Sequence, residues 1–117
     1  MIRVKRAYEP AAAAAGAGIL VDRVWPRGVK KESLKISKWM KEIAPSAELR
    51  KFFGHQPERW DEFRKRYRAE LAKSEQRARL AEIAKLAAQG TITLIYGARD
   101  EQHNQAVVLK EALDSLR

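Results

Sequence analysis

Two short apolar runs constrain this chain more than any other feature. Ile19-Leu20-Val21 and Thr91-Ile92-Thr93-Leu94-Ile95-Tyr96 are rich in β-branched residues and nearly continuous. Strands of that kind are covered on both faces, as in parallel sheets packed between helices. The long segment between them carries helical periodicity, and parallel neighbours need such a crossover. The expected architecture is a small three-layer α/β fold with a short, mostly parallel central sheet flanked by helices. The first run extends from about Gly18 to Trp25, where Pro26 ends it. The second lies in the middle of the sheet.

Both runs end in polar turns. The first places Asp22, Arg23, Trp25 and Arg27 within six residues. The second continues as Gly97-Ala98-Arg99-Asp100-Glu101-Gln102-His103-Asn104, then a helix. If the strands are parallel, both turns emerge at the C-terminal edge of the sheet, where open α/β sheets hold ligands. Arg23 and Arg27 bring guanidinium groups suited to phosphate or carboxylate. Asp100 is placed to cap the last helix, whose free N–H groups favour an anion. One pocket is therefore expected, lined by Arg23, Trp25, Arg27, Tyr96, His103 and Asn104. Asp22 and Asp100 stand at its margin as the candidate general bases. The bland alternative is a structural cluster, with Asp22 and Arg23 as an ion pair and Trp25 as a core anchor.

The rest of the chain fills the layers. Ile2 to Ala7 alternates apolar and basic residues, as an edge strand or a strand with one wet face does. The alanine run 11–15 reads as a loop, since so short a segment does not hold a helix. Ile36, Met40 and Ile43 have helical spacing, with Trp39 beside them. Ser46 is placed to cap a short helix over 47–53, and Gly54 suits its end. Pro57 opens a helix whose stripe is Trp60, Phe63, Tyr67 and Leu71. Another spans about 76–88, with Leu80, Ile83 and Ala87 inward. Ala106, Leu109, Leu113 and Leu116 mark the last. Trp39, Trp60, Phe63 and Tyr67 are expected in the core.

At 117 residues the chain suits a single α/β domain, 1–117. It has no cysteine, which removes disulfides, thiolate ligands and a cysteine nucleophile. His55 and His103 are its two histidines, and no ligand spacing suggests a metal site. No cofactor motif is present. Net charge is +9, with seven basic residues against two acidic ones between Asp22 and Lys41. That balance favours an anionic small molecule, a nucleotide or nucleic acid as partner. No window reaches the apolar length of a membrane span. The opening residues lack the apolar core of a signal peptide, so the cytoplasm is expected. The first functional expectation is binding of an anionic small molecule or nucleotide, with hydrolase or transferase chemistry as its catalytic extension. The alternative is a nucleic-acid-binding or regulatory protein that uses 23–41 and the basic face of 59–68.

These residues also carry a resemblance. Leu20-Val21-Asp22-Arg23-Val24-Trp25-Pro26-Arg27-Gly28-Val29 resembles the signature of the family called domain of unknown function 488, in its YeaO-like branch. Trp39 to Ser46, Glu48 to His55, Trp60 to Leu71, and Thr93 to Tyr96 with Asp100, His103, Asn104, Ala106 and Val107 match in order. The resemblance spans nearly the whole chain and implies no particular activity. Two departures from the family pattern stand out. Gly18 occupies the place of a family arginine. Tyr96 and Asn104-Gln105-Ala106 occupy positions where the wider family carries cysteine and a Cys-His-Arg run, so thiol chemistry is closed to this chain.

Overall fold

The computed structural model describes residues 1–9, 16–34 and 36–116. Four parallel strands form one sheet in the order β1-β4-β2-β3. They are β1 (Ile2–Arg6), β2 (Ala17–Leu20), β3 (Lys38–Trp39) and β4 (Ile92–Tyr96). The helices are α1 (Lys31–Leu34), α2 (Ala47–Phe53), α3 (Trp60–Leu71), α4 (Ser74–Gln89) and α5 (Gln105–Ser115). Short 3₁₀ turns at Lys41–Ile43 and Pro57–Arg59 lead into α2 and α3. The alanine run 11–15 lies outside the described residues.

β4 is buried along its whole length between β1 and β2, as its apolar sequence requires. Side chains alternate between its two faces. Ile92, Leu94 and Tyr96, with Ile19 of the neighbouring strand β2 and Val21 just beyond it, face a large core supplied by α2 to α5. Leu20 and Ile95 face a smaller cluster with Ala7, Leu34 of α1 and the half-buried Trp25, Val29 and Ile36. The fold has three layers, but the third is a one-turn helix and a loop.

The stripe of α3 is Phe63, Tyr67 and Leu71, all buried. Phe63 stacks on Phe53 with ring centroids 4.4 Å apart. Burying each such side chain contributes about 1.5–3 kcal/mol. Ser46 caps α2 by accepting from the Leu49 N–H, and Glu70 of α3 accepts from both the Ser46 amide and its hydroxyl. The start of α2 is thus pinned to the end of α3. Gly54 follows α2 in the left-handed conformation.

Several expectations are corrected. Residues 36–43 are not a helix. The second edge of β2 needs partners for its peptide groups, and it finds them when the Ser37 and Met40 amides donate to Gly18 and Leu20 carbonyls. The three residues with helical spacing are then divided between faces: Met40 and Ile43 join the large core, Ile36 the small one. Trp39 lies on the edge strand, 37% exposed, rather than in the core. Trp60 is half-buried, on the rim of the core. β2 ends at Leu20, not Trp25, although the Val21 amide still donates to the Ile95 carbonyl. Leu116 lies beyond α5 and is exposed.

Candidate functional site

The chain leaves β2 toward the thin layer, through Trp25 and α1, and leaves β4 toward the thick layer, through α5. Adjacent strands whose connections depart to opposite faces leave a crevice between their C-terminal ends. A cleft of about 370 Å³ occupies that place.

Asp22 lines it, half-buried, and spans the crevice. Its Oδ2 accepts from the Gly97 N–H at 2.8 Å, and its Oδ1 accepts from Gln105 Nε2. The end of β2 is therefore tied to the end of β4 and the first turn of α5. Gly97 is needed for this approach, since a Cβ there would lie 2.8 Å from Oδ2. Burial pushes the Asp22 carboxyl up to about 6, against the two hydrogen bonds and a smaller contribution from His55. The expected Asp22–Arg23 ion pair does not form.

Arg23 and Arg27 are exposed and line the cleft, as does Arg50 of α2. None of the three makes an ion pair among the described residues. Trp25 forms part of the wall, with its indole N–H donating to the Val29 carbonyl and its ring meeting Trp39 edge-on. Tyr8 closes one side, its hydroxyl donating to the Arg27 carbonyl.

The β4–α5 turn is internally satisfied. Asp100 does not cap α5, as the sequence suggests, and does not line the cleft. Its Oδ1 accepts from the Gln102 and His103 amides and its Oδ2 pairs with His103 Nδ1 at 2.8 Å. The His103 bond, with those amides, holds its carboxyl below the ordinary range. Asn104 caps α5 instead, accepting from the Val107 N–H while its Nδ2 donates to the Asp100 carbonyl. Asn104 directly precedes α5, where a side-chain oxygen reaches the amide three residues on, whereas Asp100 stands a turn too early. His103 lines the cleft and packs edge-on against Trp60. Asn104 lines it while buried, and Tyr96 is buried without lining it, its phenol raised by burial.

Arg23, Trp25, Arg27, His103 and Asn104 thus come together with Asp22, while Tyr96 and Asp100 stay behind them. Sequence reasoning missed Arg50, Phe53, His55 and Gln105, which also line the cleft. His55 follows Gly54 in a second left-handed residue, φ 57°, a conformation uncommon outside glycine. A glycine-histidine turn after a short helix was the one local signal for it. Among the described residues no cluster of three or more His, Asp or Glu could hold a metal ion, and no helix is long and apolar enough to cross a membrane.

Three relatives show what this chain is similar to. It is 48% identical to the uncharacterized protein YeaO of Escherichia coli K12 over 116 residues, 98% of each chain. It is 42% identical over 113 residues to the uncharacterized proteins Rv3073c of Mycobacterium tuberculosis H37Rv and Mb3100c of Mycobacterium bovis, covering 97% of this chain and 93% of theirs. No solved structure matches. Residues 1–116 match the family model DUF488-N3i, described as the inactive DUF488-N3 subclade, and the chain belongs to that family.

Proposed function

We propose that this protein binds an anionic small molecule or nucleotide in the cleft between the ends of β2 and β4. The observation that carries the reading is the state of its three arginines. Arg23, Arg27 and Arg50 reach one concave site from two separate segments, and none is neutralised by a carboxylate among the described residues. Convergent guanidinium groups over partly apolar walls favour a phosphate or carboxylate on a larger body.

Two observations favour binding over turnover. Each oxygen of Asp22 already accepts a hydrogen bond that ties strand ends together. The family description, an inactive subclade, points the same way. Hydrolase or transferase chemistry is therefore the weaker extension of the reading.

The nucleic-acid alternative has less support. On the α3 face Arg64 is held by Glu111, Arg66 by Glu62, and Arg59 donates to the Phe52 carbonyl. Lys38 is paired with Glu82. These pairings weaken the field that a phosphate backbone would meet.

Thermal denaturation with phosphate, pyrophosphate and a nucleotide panel tests the proposal, because a ligand that binds only the folded state raises the melting temperature by mass action. Stabilisation by at least one anion, lost in a variant carrying Arg23→Ala and Arg27→Ala, is the expected result. No shift with any anion at millimolar concentration would overturn it.

A further inference from the structure

The cleft is lined by three kinds of group. The first is acceptors. Asp22 takes one N–H on each carboxylate oxygen, and an ionised carboxylate oxygen has two acceptor positions, so one on each is left. Gln105 uses its Nε2 on Asp22, and its Oε1 has no partner among the described residues. No buried side-chain nitrogen or oxygen among them lacks a partner. That Oε1 therefore reaches solvent, on a side chain that lines the cleft.

The second is apolar, from Trp25, Pro26, Phe53 and Phe63. The Trp25 ring is held in place by its bond to Val29 and by Trp39, centroids 5.5 Å apart and planes at 74°. Phe53 and Phe63 are stacked and nearly buried, so the half-buried Trp25 supplies most of the accessible ring. The third is cationic: Arg23, Arg27 and Arg50, all exposed. A complementary ligand combines an anion, a planar ring and N–H donors. A volume of about 370 Å³ holds a molecule of that size.

We infer that the ligand is a nucleoside phosphate whose base carries an amino group. The arginines hold the phosphate, the aromatic walls flank the base, and its amino N–H groups meet Asp22 and the Gln105 Oε1. This inference rests on the anion-binding reading above and adds the identity of the other end. A plain sugar phosphate leaves the apolar walls without a partner. A base with only carbonyl oxygens at that edge sets acceptor against acceptor, which a carboxylate rejects.

Isothermal titration of the intact chain with GMP, IMP, CMP, UMP and pyrophosphate tests it. GMP and IMP differ by one amino group, and CMP carries an amino group where UMP has a carbonyl. The amino member of each pair should bind at least about tenfold tighter, a difference of about 1.4 kcal/mol. Asp22→Asn places a donor there and should bring that ratio below about threefold, with pyrophosphate affinity equal to or higher than that of the wild type. Equal affinity within both pairs in the wild-type chain overturns the inference, and it leaves the anion-binding reading standing if pyrophosphate binds. Failure of pyrophosphate and every nucleotide overturns both. A preference that survives Asp22→Asn overturns the role given to Asp22. The wild-type pairs decide the ligand class even if the variant does not fold.

Discussion

The turns after β2 and β4 have the same sequence grammar and different physical states. Each follows a buried strand, each is crowded with polar residues, and each reaches the C-terminal edge of the sheet. In the β4 turn the polar groups answer one another: Asp100 holds the Gln102 and His103 amides, and Asn104 joins Asp100 to α5. In the β2 turn Asp22 is the charged side chain that is tied down among the described residues, and its partners lie across the crevice. Arg23 and Arg27 carry charge into the cleft with no carboxylate against them among the described residues. Polar density at a strand end therefore marks two things, a loop that needs internal bonds to hold its shape and a loop that keeps its charges for something else. Hydrogen-bond partners separate the two where composition does not.

The comparison breaks first at Asn104. It is 2% exposed and bonds on both sides of its amide. Asn104→Ala removes the α5 cap, leaves the part-buried Val107 amide and Asp100 carbonyl without their partner and empties a buried site, a loss of roughly 3 kcal/mol. Urea denaturation should show that loss. A change below about 1 kcal/mol would mean that the β4 turn does not depend on its internal bonds.

Asp22→Asn should act in the opposite direction. The carboxyl rises from 3.8 to about 6 on folding because it is buried. An acid raised in the folded state favours folding most when it is protonated in both states, below about pH 4. That contribution is lost as pH climbs through about 6 and stays lost above it. The asparagine has no such titration. It keeps an acceptor for the Gly97 amide and can pair its NH₂ with Gln105 after an amide flip. The variant should exceed the wild type by up to about 3 kcal/mol at pH 7.5, an advantage that fades by pH 4. Denaturation across that pH range checks the sign, and a constant difference would show that the Asp22 carboxyl is not desolvated.

Gly97→Ala tests the same bridge from its other end. Its Cβ would lie 2.8 Å from Asp22 Oδ2, so the carboxylate must retreat and the hydrogen bond lengthens. A loss of about 1–2 kcal/mol is expected in the same assay. If the substitution is neutral, Asp22 has room to move and the crevice is not held by it.

The sheet was legible in proportion to how local its causes are. Continuous apolar sequence announced β2 and β4, and alternation announced β1 as an edge strand. Ser46, Gly54, Phe63 and Tyr67 took the places their own neighbourhoods dictate. Residues 36–43 misled because β3 is two residues long and exists to satisfy an edge formed twenty residues earlier. The bridge from Asp22 was unreadable for a related reason, since its amide partner is 75 residues away. Arg50 and His55 reach the cleft through the packing of α2 on α3, with its Ser46–Glu70 bonds and Phe53–Phe63 stack, which only the folded chain shows. The paired arginines were visible, but their lack of ion pairs is a property of the folded chain.

The smallest expected effect on stability is the sharpest test of the comparison. Arg23 and Arg27 are exposed, and neither guanidinium makes a hydrogen bond or ion pair among the described residues. Removing such a side chain changes stability by no more than about 0.5 kcal/mol. Three cations around one cleft repel one another, so Arg27→Ala should be neutral or slightly stabilising, more so at low salt. The same substitution should weaken pyrophosphate binding about tenfold, because a charge-assisted contact contributes about 1.5–3 kcal/mol. Both quantities come from one set of melts recorded with and without the anion. A stability loss near that of Asn104→Ala, with binding unchanged, would place Arg27 with the residues that hold their own loop, and the two turns would then differ in sequence but not in kind.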